Sequence, residues 1–338
     1  MGVRGVIFDW IETELHPMEC TSDGFIYDDM DSQSGRALPI IYRPFDLGER
    51  SHWRDRGAVW DYLLAGRCER GRVLDFGPGD GWPSLVVAPF ISEVAGVDAS
   101  RRRVEVCTQN AARLGMHNAK FVHVPPGSPL PFGDDSFDAV LAASSVEQTP
   151  DPRSTLREIH RVLKPGGRLR ITYESLTPYR GDGEHGIWLW EAGRRSCRLI
   201  LFDRDIDGEQ VVQYSLDFAI SDQELAGRFR KAPSELTFAD LSVERLEGLR
   251  DAIVGARVLT TTHPSGRTLA HWLLDAGFVE VLPSHDGAAC AAALYDLLPS
   301  ARRPRSLVEL DEYLRPVVAA VVQMKAPTDI DPMITALK

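Results

Sequence analysis

One nine-residue run constrains this chain more than any other: Val73-Leu74-Asp75-Phe76-Gly77-Pro78-Gly79-Asp80-Gly81. Apolar residues suited to a buried strand lead into three glycines at alternate positions. An apolar stretch over residues 84–91 then reads as the opening of a helix. Glycines so placed let the backbone turn sharply and approach a ligand closely. In an open α/β sheet, ligands bind outside the carboxyl end of a strand, which is where this turn falls. The following hundred residues keep alternating. Strands are expected at Arg72–Phe76, 94–97, 121–124, 138–142 and 168–173, with helices at 100–114 and 153–163. Such alternation implies a mainly parallel sheet wound on both faces.

The spacing of the turn narrows the ligand. A dinucleotide fingerprint, GxGxxG, needs its third glycine one residue later, where Trp82 stands, and no GxxxxGK[ST] phosphate loop occurs. Asp98 ends Val94-Ala95-Gly96-Val97-Asp98, about 20 residues on, where a carboxylate can bind ribose hydroxyls. Two acidic groups and a glycine turn suit a nucleoside with an amino-acid tail better than a pyrophosphate. The formal net charge of -11 argues against a nucleic-acid or anionic-membrane partner. The five cysteines are scattered without CxxC spacing, so neither a disulfide framework nor a zinc site is expected, and no metal is assigned. No apolar run approaches the roughly 18 residues of a membrane span. A cytoplasmic location is expected.

Outside this core the signals are weaker. The first 70 residues show little periodicity until Trp53, Ala58, Val59, Tyr62 and Leu63, which share one helical face that should stop near Gly66. Two strand-like runs, residues 197–202 and Gln210–Phe218, flank Asp205-Ile206-Asp207-Gly208, a hairpin signal. Residues 241–254 read as a helix capped by Ser242, 268–276 as a helix, 278–282 as a strand, and 288–298 as strand or helix. Leu307–Met324 reads as a final amphipathic helix closing the chain.

Residues 72–173 resemble the class I S-adenosylmethionine-dependent methyltransferases, particularly their small-molecule branch. Asp75-Phe76-Gly77-Pro78-Gly79-Asp80-Gly81 matches that family's first motif, D/E-x-G-x-G-x-G. Pro131-Phe132-Gly133-Asp134-Asp135-Ser136-Phe137-Asp138 matches its LPF-x-D-x-SFD block. Residues 157–167 match E-x-x-RVLKPGG, and Ala276-Gly277-Phe278 matches the later "aGF". The resemblance implies an α/β fold with a doubly wound, mainly parallel seven-stranded sheet, a Rossmann-like methyltransferase fold. An N-terminal extension and an insertion after the fifth strand complete it. The expected divisions are 1–70 as N-terminal lid and substrate segment, 71–175 as cofactor core, 176–263 as a hairpin-bearing substrate cap, 264–300 as completion of the sheet, and 301–338 as C-terminal helix and tail. Together they would form one enlarged catalytic domain.

The resemblance also implies S-adenosylmethionine as cofactor, with S-adenosylhomocysteine as product. Its expected holders are Asp75, Gly77, Pro78, Gly79, Asp80, Gly81, Asp98, Ala99, Gly127, Ser128 and Ser144. The implied reaction is in-line displacement of the methyl group onto a small-molecule acceptor. Glu147 and His185 are the candidate bases. Tyr27, Tyr42, Trp53 and Trp188, with Trp190, are candidate walls of the acceptor site. Two positions depart from the family: Pro126 stands where an adenine-binding Asp is common, and Gln148 where a His is common. Those departures motivate an alternative, a module that binds cofactor without catalysis. An RNA or protein methyltransferase is a further alternative. So is a haloacid-dehalogenase-like phosphatase, whose start Gly5–Thr13 superficially resembles, although Ile11 replaces the second Asp.

Overall fold

The computed structural model describes residues 3–20, 45–284, 287–324 and 333–338. Helix α1 (Val3–Trp10) leads through a π-type turn to the two-residue strand β1 (Met18–Glu19). Helix α2 (Arg50–Ala65) precedes β2 (Arg72–Phe76), α3 (Ser84–Val87), β3 (Glu93–Asp98) and α4 (Arg101–Arg113). Then come β4 (Ala119–His123), β5 (Phe137–Ala143), α5 (Pro152–Val162) and β6 (Leu163–Thr172). Three long strands follow, β7 (His185–Gly193), β8 (Ser196–Asp205) and β9 (Gln210–Phe218), then short helices α6 (Asp222–Arg228) and α7 (Val243–Glu247) and strand β10 (Ile253–Thr262). Helix α8 (Gly266–Asp275), β11 (Glu280–Ser284), α9 (Gly287–Leu297), α10 (Leu307–Met324) and β12 (Met333–Leu337) complete the chain.

The chain divides into two compact units, one from Met1–Phe25 and Leu176–His263, the other from Ile26–Ser175 and Pro264–Lys338. The second holds a seven-stranded sheet in the order β11-β12-β6-β5-β2-β3-β4. Every pairing from β6 to β4 is parallel, and only β12 runs against its neighbours. Both faces are covered, so neighbouring residues of one strand enter different cores. Leu74, Val140 and Ile334 pack with Leu156, Ile159 and Leu273 on one face. Val73, Leu141 and Met333 pack with Trp53, Leu63, Leu310 and Leu314 on the other. At roughly 1.5–3 kcal/mol for each fully buried large apolar side chain, these layers supply the main drive for the sheet.

Local caps agree with the sequence. Ser100 caps α4 by accepting the Arg103 N–H at 3.1 Å, and Asp151 caps α5 by accepting the Ser154 N–H at 3.0 Å, with Pro152 in the first turn. The fully buried Arg170 of β6 pairs with the equally buried Asp61 of α2 at 2.7 Å, and it donates to Thr335 of β12 at 2.9 Å. Asp61 also accepts the Gly287 N–H of α9 at 2.8 Å. One ion pair thereby ties two helices and two strands, with its charges satisfied by several partners as burial requires.

The other unit is a five-stranded sheet in the order β1-β10-β9-β8-β7, with its own core of Ile7, Phe8, Ile11, Leu199, Leu201, Leu216 and Leu246. The Asp205–Gly208 turn joins β8 to β9, with Asp205 paired to Gln210 and the Gly208 N–H donated to Asp205. Several expectations need correction. Residues 241–254 are not one helix: α7 ends at Glu247, and β10 begins at Ile253, where the β-branched content rises. The chain does not close on α10, because β12 inserts between β11 and β6. The stretch 1–70 is not one segment, since Met1–Phe25 belong with Leu176–His263 whereas α2 packs on the large sheet. The expected single enlarged domain is therefore two units with separate cores. Gly5 to Trp10 lie in a helix, not in the strand a dehalogenase-like start requires. No helix among the described residues is long and apolar enough to cross a membrane.

Candidate active site

Strand β2 runs down the middle of the large sheet with β3 on one side and β5 on the other. The strand order reverses at β2, so the loops after β2 and β5 diverge and leave a crevice at the strands' carboxyl ends. The loop after β2 is the glycine turn. Gly77 and Gly79 both have positive φ, 74° and 57°. A side chain on Gly77 would meet the Ser145 Cβ at 2.5 Å, whereas one on Gly79 would stand in open space at the crevice wall. The first glycine is needed for close packing of the two loops. The second keeps the cradle clear. Ser145 seals the same junction by donating to the Phe76 carbonyl at 2.6 Å.

The crevice is a cavity of about 590 Å³, within the usual range of about 300–1,000 Å³ for small-molecule and cofactor sites. Nine of the expected cofactor residues line it: Gly77, Pro78, Gly79, Asp80, Asp98, Ala99, Gly127, Ser128 and Ser144. Asp98, at the end of β3, accepts the Ser100 N–H at 2.9 Å and the Gly79 N–H at 3.2 Å. Its carboxylate is thus fixed at the cavity edge. Pro125 to Pro129 form a further wall, turned by a bond from the Ser128 N–H to the Pro125 carbonyl at 3.1 Å. Pro126 brings no carboxylate, so an adenine there would be held by packing and by backbone.

Asp75 and Gly81 stand apart from the other nine. Neither lines the cavity. Asp75 is fully buried beneath the loop, where it accepts both the N–H and the hydroxyl of Ser84 at the start of α3. Its other oxygen has no partner, and burial pushes its carboxyl up to about 8, against the opposing pull of the Ser84 bonds. Gly81 turns the chain into α3, its carbonyl accepting the Leu85 N–H at 2.8 Å.

The candidate base Glu147 is also buried and does not line the cavity. One oxygen accepts the Glu174 N–H at 3.2 Å, and the other is sealed without a partner. Burial pushes its carboxyl up to about 7. It supports the Ser144–Gln148 loop from behind and has no surface to offer an acceptor. Gln148 does line the cavity, and its amide donates to the Ser144 carbonyl at 2.7 Å. Ser144 holds a left-handed conformation, φ 50°, fixed by its N–H bond to Thr172 at 2.9 Å.

His185 belongs to the other unit, on β7. Its Nε2 lies 3.2 Å from Asp203, and its ring stacks on Phe8 at 5.6 Å. It lines a separate cavity of about 410 Å³ with Ile7, Asp182, Thr237, Phe238, Ala239 and Leu241. Trp188 is exposed on the same strand, parallel to Trp190 at 6.1 Å. Trp53 is withdrawn as an acceptor wall: it is completely buried under the large sheet, its indole N–H donated to the Leu47 carbonyl at 2.9 Å. Tyr27 and Tyr42 lie outside the described residues.

The cavity also includes residues that sequence reasoning missed, among them Trp82, Arg103, Thr149 and Glu158. Trp82 directly follows the last glycine and could have been read as a wall. Nothing in the local sequence points Arg103 back to Asp80, because that contact spans 23 residues and needs the β3–α4 crossover.

A family model described as a methyltransferase domain matches residues 74–171, which contain the glycine turn, Asp98 and the Ser144 loop. The methyltransferase YcgJ of Bacillus subtilis (strain 168) is 41% identical over 100 residues, covering 30% of this chain and 39% of its own. The ubiquinone/menaquinone biosynthesis C-methyltransferase UbiE of Geotalea daltonii is 36% identical over 142 residues, covering 41% and 58%. The 27-O-demethylrifamycin SV methyltransferase of Amycolatopsis mediterranei is 33% identical over 145 residues, covering 39% and 53%. The chain thus spans about two fifths to three fifths of the length of these relatives. A glycine cradle and a strand-end carboxylate around one crevice, on a sheet of this strand order, lie within the matched residues: residues 74–171 form a methyltransferase domain of the class I S-adenosylmethionine-dependent kind.

Proposed function

We propose that this chain transfers a methyl group from S-adenosylmethionine to a small-molecule acceptor. The observation that carries the reading is the cavity itself, in which the open Gly79 cradle and the fixed Asp98 carboxylate face one space. In this reading the backbone of Gly77 to Asp80 holds the amino-acid end of the cofactor. Asp98 accepts the ribose hydroxyls, Ala99 and the 125–129 wall enclose the base, and Ser144 borders the reacting end. Bound there, S-adenosylmethionine supplies a methyl group already activated on a sulfonium, for in-line attack by a nucleophilic atom of the acceptor that gives up its proton. The chain's own contribution is position and exclusion of water. Well-oriented reactants recover roughly 7–11 kcal/mol of a barrier. A small-molecule acceptor is supported by relatives named for quinone and rifamycin methylation and by the net negative charge of the sequence.

One observation favours a second reading, binding without transfer. Among the described residues lining the cavity there is no His, Lys, Cys or Tyr, and the amide of Gln148 is engaged by Ser144. An acidic acceptor, such as a phenol, needs only a weak base and suits such a lining. The two readings separate in an assay with methyl-labelled S-adenosylmethionine, offered demethylated quinols, phenols and RNA in parallel. Label in the small-molecule fraction is expected. Label in RNA alone, or cofactor binding with no transfer to any acceptor class, contradicts the proposal.

A further inference from the structure

Helix α4 carries three side chains, Arg103, Cys107 and Asn110, at spacings of four and three residues, so they share one face. All three end on the glycine turn. Arg103 Nη1 donates to Asp80 Oδ1, the Cys107 thiol donates to the Gly79 carbonyl at 3.0 Å, and Asn110 Nδ2 donates to the Asp80 carbonyl at 3.0 Å. The three are buried, so water competes little for these bonds. Asp98 closes the frame, since it accepts N–H bonds both from Gly79 and from Ser100, and Ser100 caps the same helix. The turn itself has few side chains with which to hold a shape, and glycine backbone is costly in entropy to order.

We infer that this face of α4 holds the glycine turn in its binding shape, with Arg103 as the principal positioning residue. The Arg103–Asp80 pair anchors the one side chain among Gly77 to Gly81 that can carry a charge. Cys107 and Asn110 fix two consecutive carbonyls, which leaves the neighbouring backbone oriented toward the cavity. A turn ordered in advance loses less freedom when a ligand binds, and the gain appears as affinity. The affinity part of this inference rests on the cavity taking S-adenosylmethionine; the ordering part does not.

Arg103→Ala, Arg103→Lys and Asn110→Ala in the full chain test it. Two readouts are taken well below the melting temperature: amide hydrogen exchange of the peptide spanning Gly77 to Gly81, and the dissociation constant of S-adenosylhomocysteine. Arg103→Ala is expected to speed exchange of that peptide and to weaken binding by about tenfold or more, the scale of a lost charge-assisted hydrogen bond. Arg103→Lys should recover most of both, and Asn110→Ala should fall between. If Arg103→Ala does not fold, Asn110→Ala is judged by the same readouts. Unchanged exchange and unchanged affinity overturn the inference, as does a Lys variant no better than Ala in both. If the unaltered chain binds no S-adenosylhomocysteine while Arg103→Ala still loosens the turn, the proposed function fails and the clamp stands.

Discussion

Asp98 ends β3 with each carboxylate oxygen already accepting a backbone N–H, from Ser100 and from Gly79. Asp98 lines the cavity, and a carboxylate is the acceptor that a pair of ribose hydroxyls requires. Asp98→Ala should therefore weaken S-adenosylhomocysteine binding by about 1–3 kcal/mol, and Asp98→Asn, which keeps one carbonyl oxygen, by less. An unchanged dissociation constant in the Ala variant would sink the ribose assignment. Glu147 makes a different kind of statement. Its carboxyl is raised from 4.5 to about 7 by burial, so the folded state holds its proton more tightly than the unfolded state does. Stability from this group is then present below about pH 4.5 and is lost as pH rises toward 7. Glu147→Gln should abolish that part of the decline, so the variant gains on the native chain across this window and no further above it. Chemical denaturation at several pH values checks the sign; a difference that falls with pH would refute it. Asp75 acts in the same direction over a wider range, up to about pH 8. The sequence made the glycine cradle and the Asp98 edge of the cavity legible, because glycines and strand-end carboxylates announce themselves locally. It did not reveal that Asp75 and Glu147 are sealed away, since a shift of one residue, along a strand for Asp75 and in a loop for Glu147, decides which way a carboxyl faces.

At the scale of elements, α2 and α9 meet at two glycines. A Cβ on Gly57 would lie 2.5 Å from both the Ala291 Cβ and the Gly287 carbonyl oxygen, and that oxygen is backbone that cannot step aside cheaply. Gly57→Ala should destabilise the fold by about 1–3 kcal/mol, as overpacking does. Urea unfolding would show this as a lower midpoint at unchanged slope; an unmoved midpoint would mean the helices do not approach so closely. The strands of the large sheet were readable because burial on both faces makes continuous apolar runs bounded by turns. Strand β12 was not, for it is five residues long and follows a helix that already looks like an ending. Strand β7 alternates Ile187 and Leu189, packed against its core, with the exposed Trp188 and with Trp190, a period-two signal that the aromatic content obscured. In β10, Val258 and Thr260 to Thr262 carried the right propensity, but the preceding Leu- and Glu-rich stretch suggested a longer helix than α7.

For the whole molecule, a length of 338 residues and a charge of -11 excluded little by themselves. Each compact unit buries its own apolar layer, and each contains a cavity. The cofactor residues named from the sequence fall within the unit that bears the seven-stranded sheet, whereas His185 and Trp188 fall within the other. That division follows from connectivity: residues 176–263 interrupt the large sheet between β6 and β11, and they share a core with the N-terminal helix. Whatever acceptor is methylated, the reading stands or falls on the crevice beside β2. Calorimetric titration of the full chain with S-adenosylhomocysteine, repeated on Asp98→Ala, addresses it directly. One saturable site is expected, with affinity clearly reduced in the variant. No binding up to millimolar ligand, or binding that Asp98→Ala leaves untouched, would contradict it.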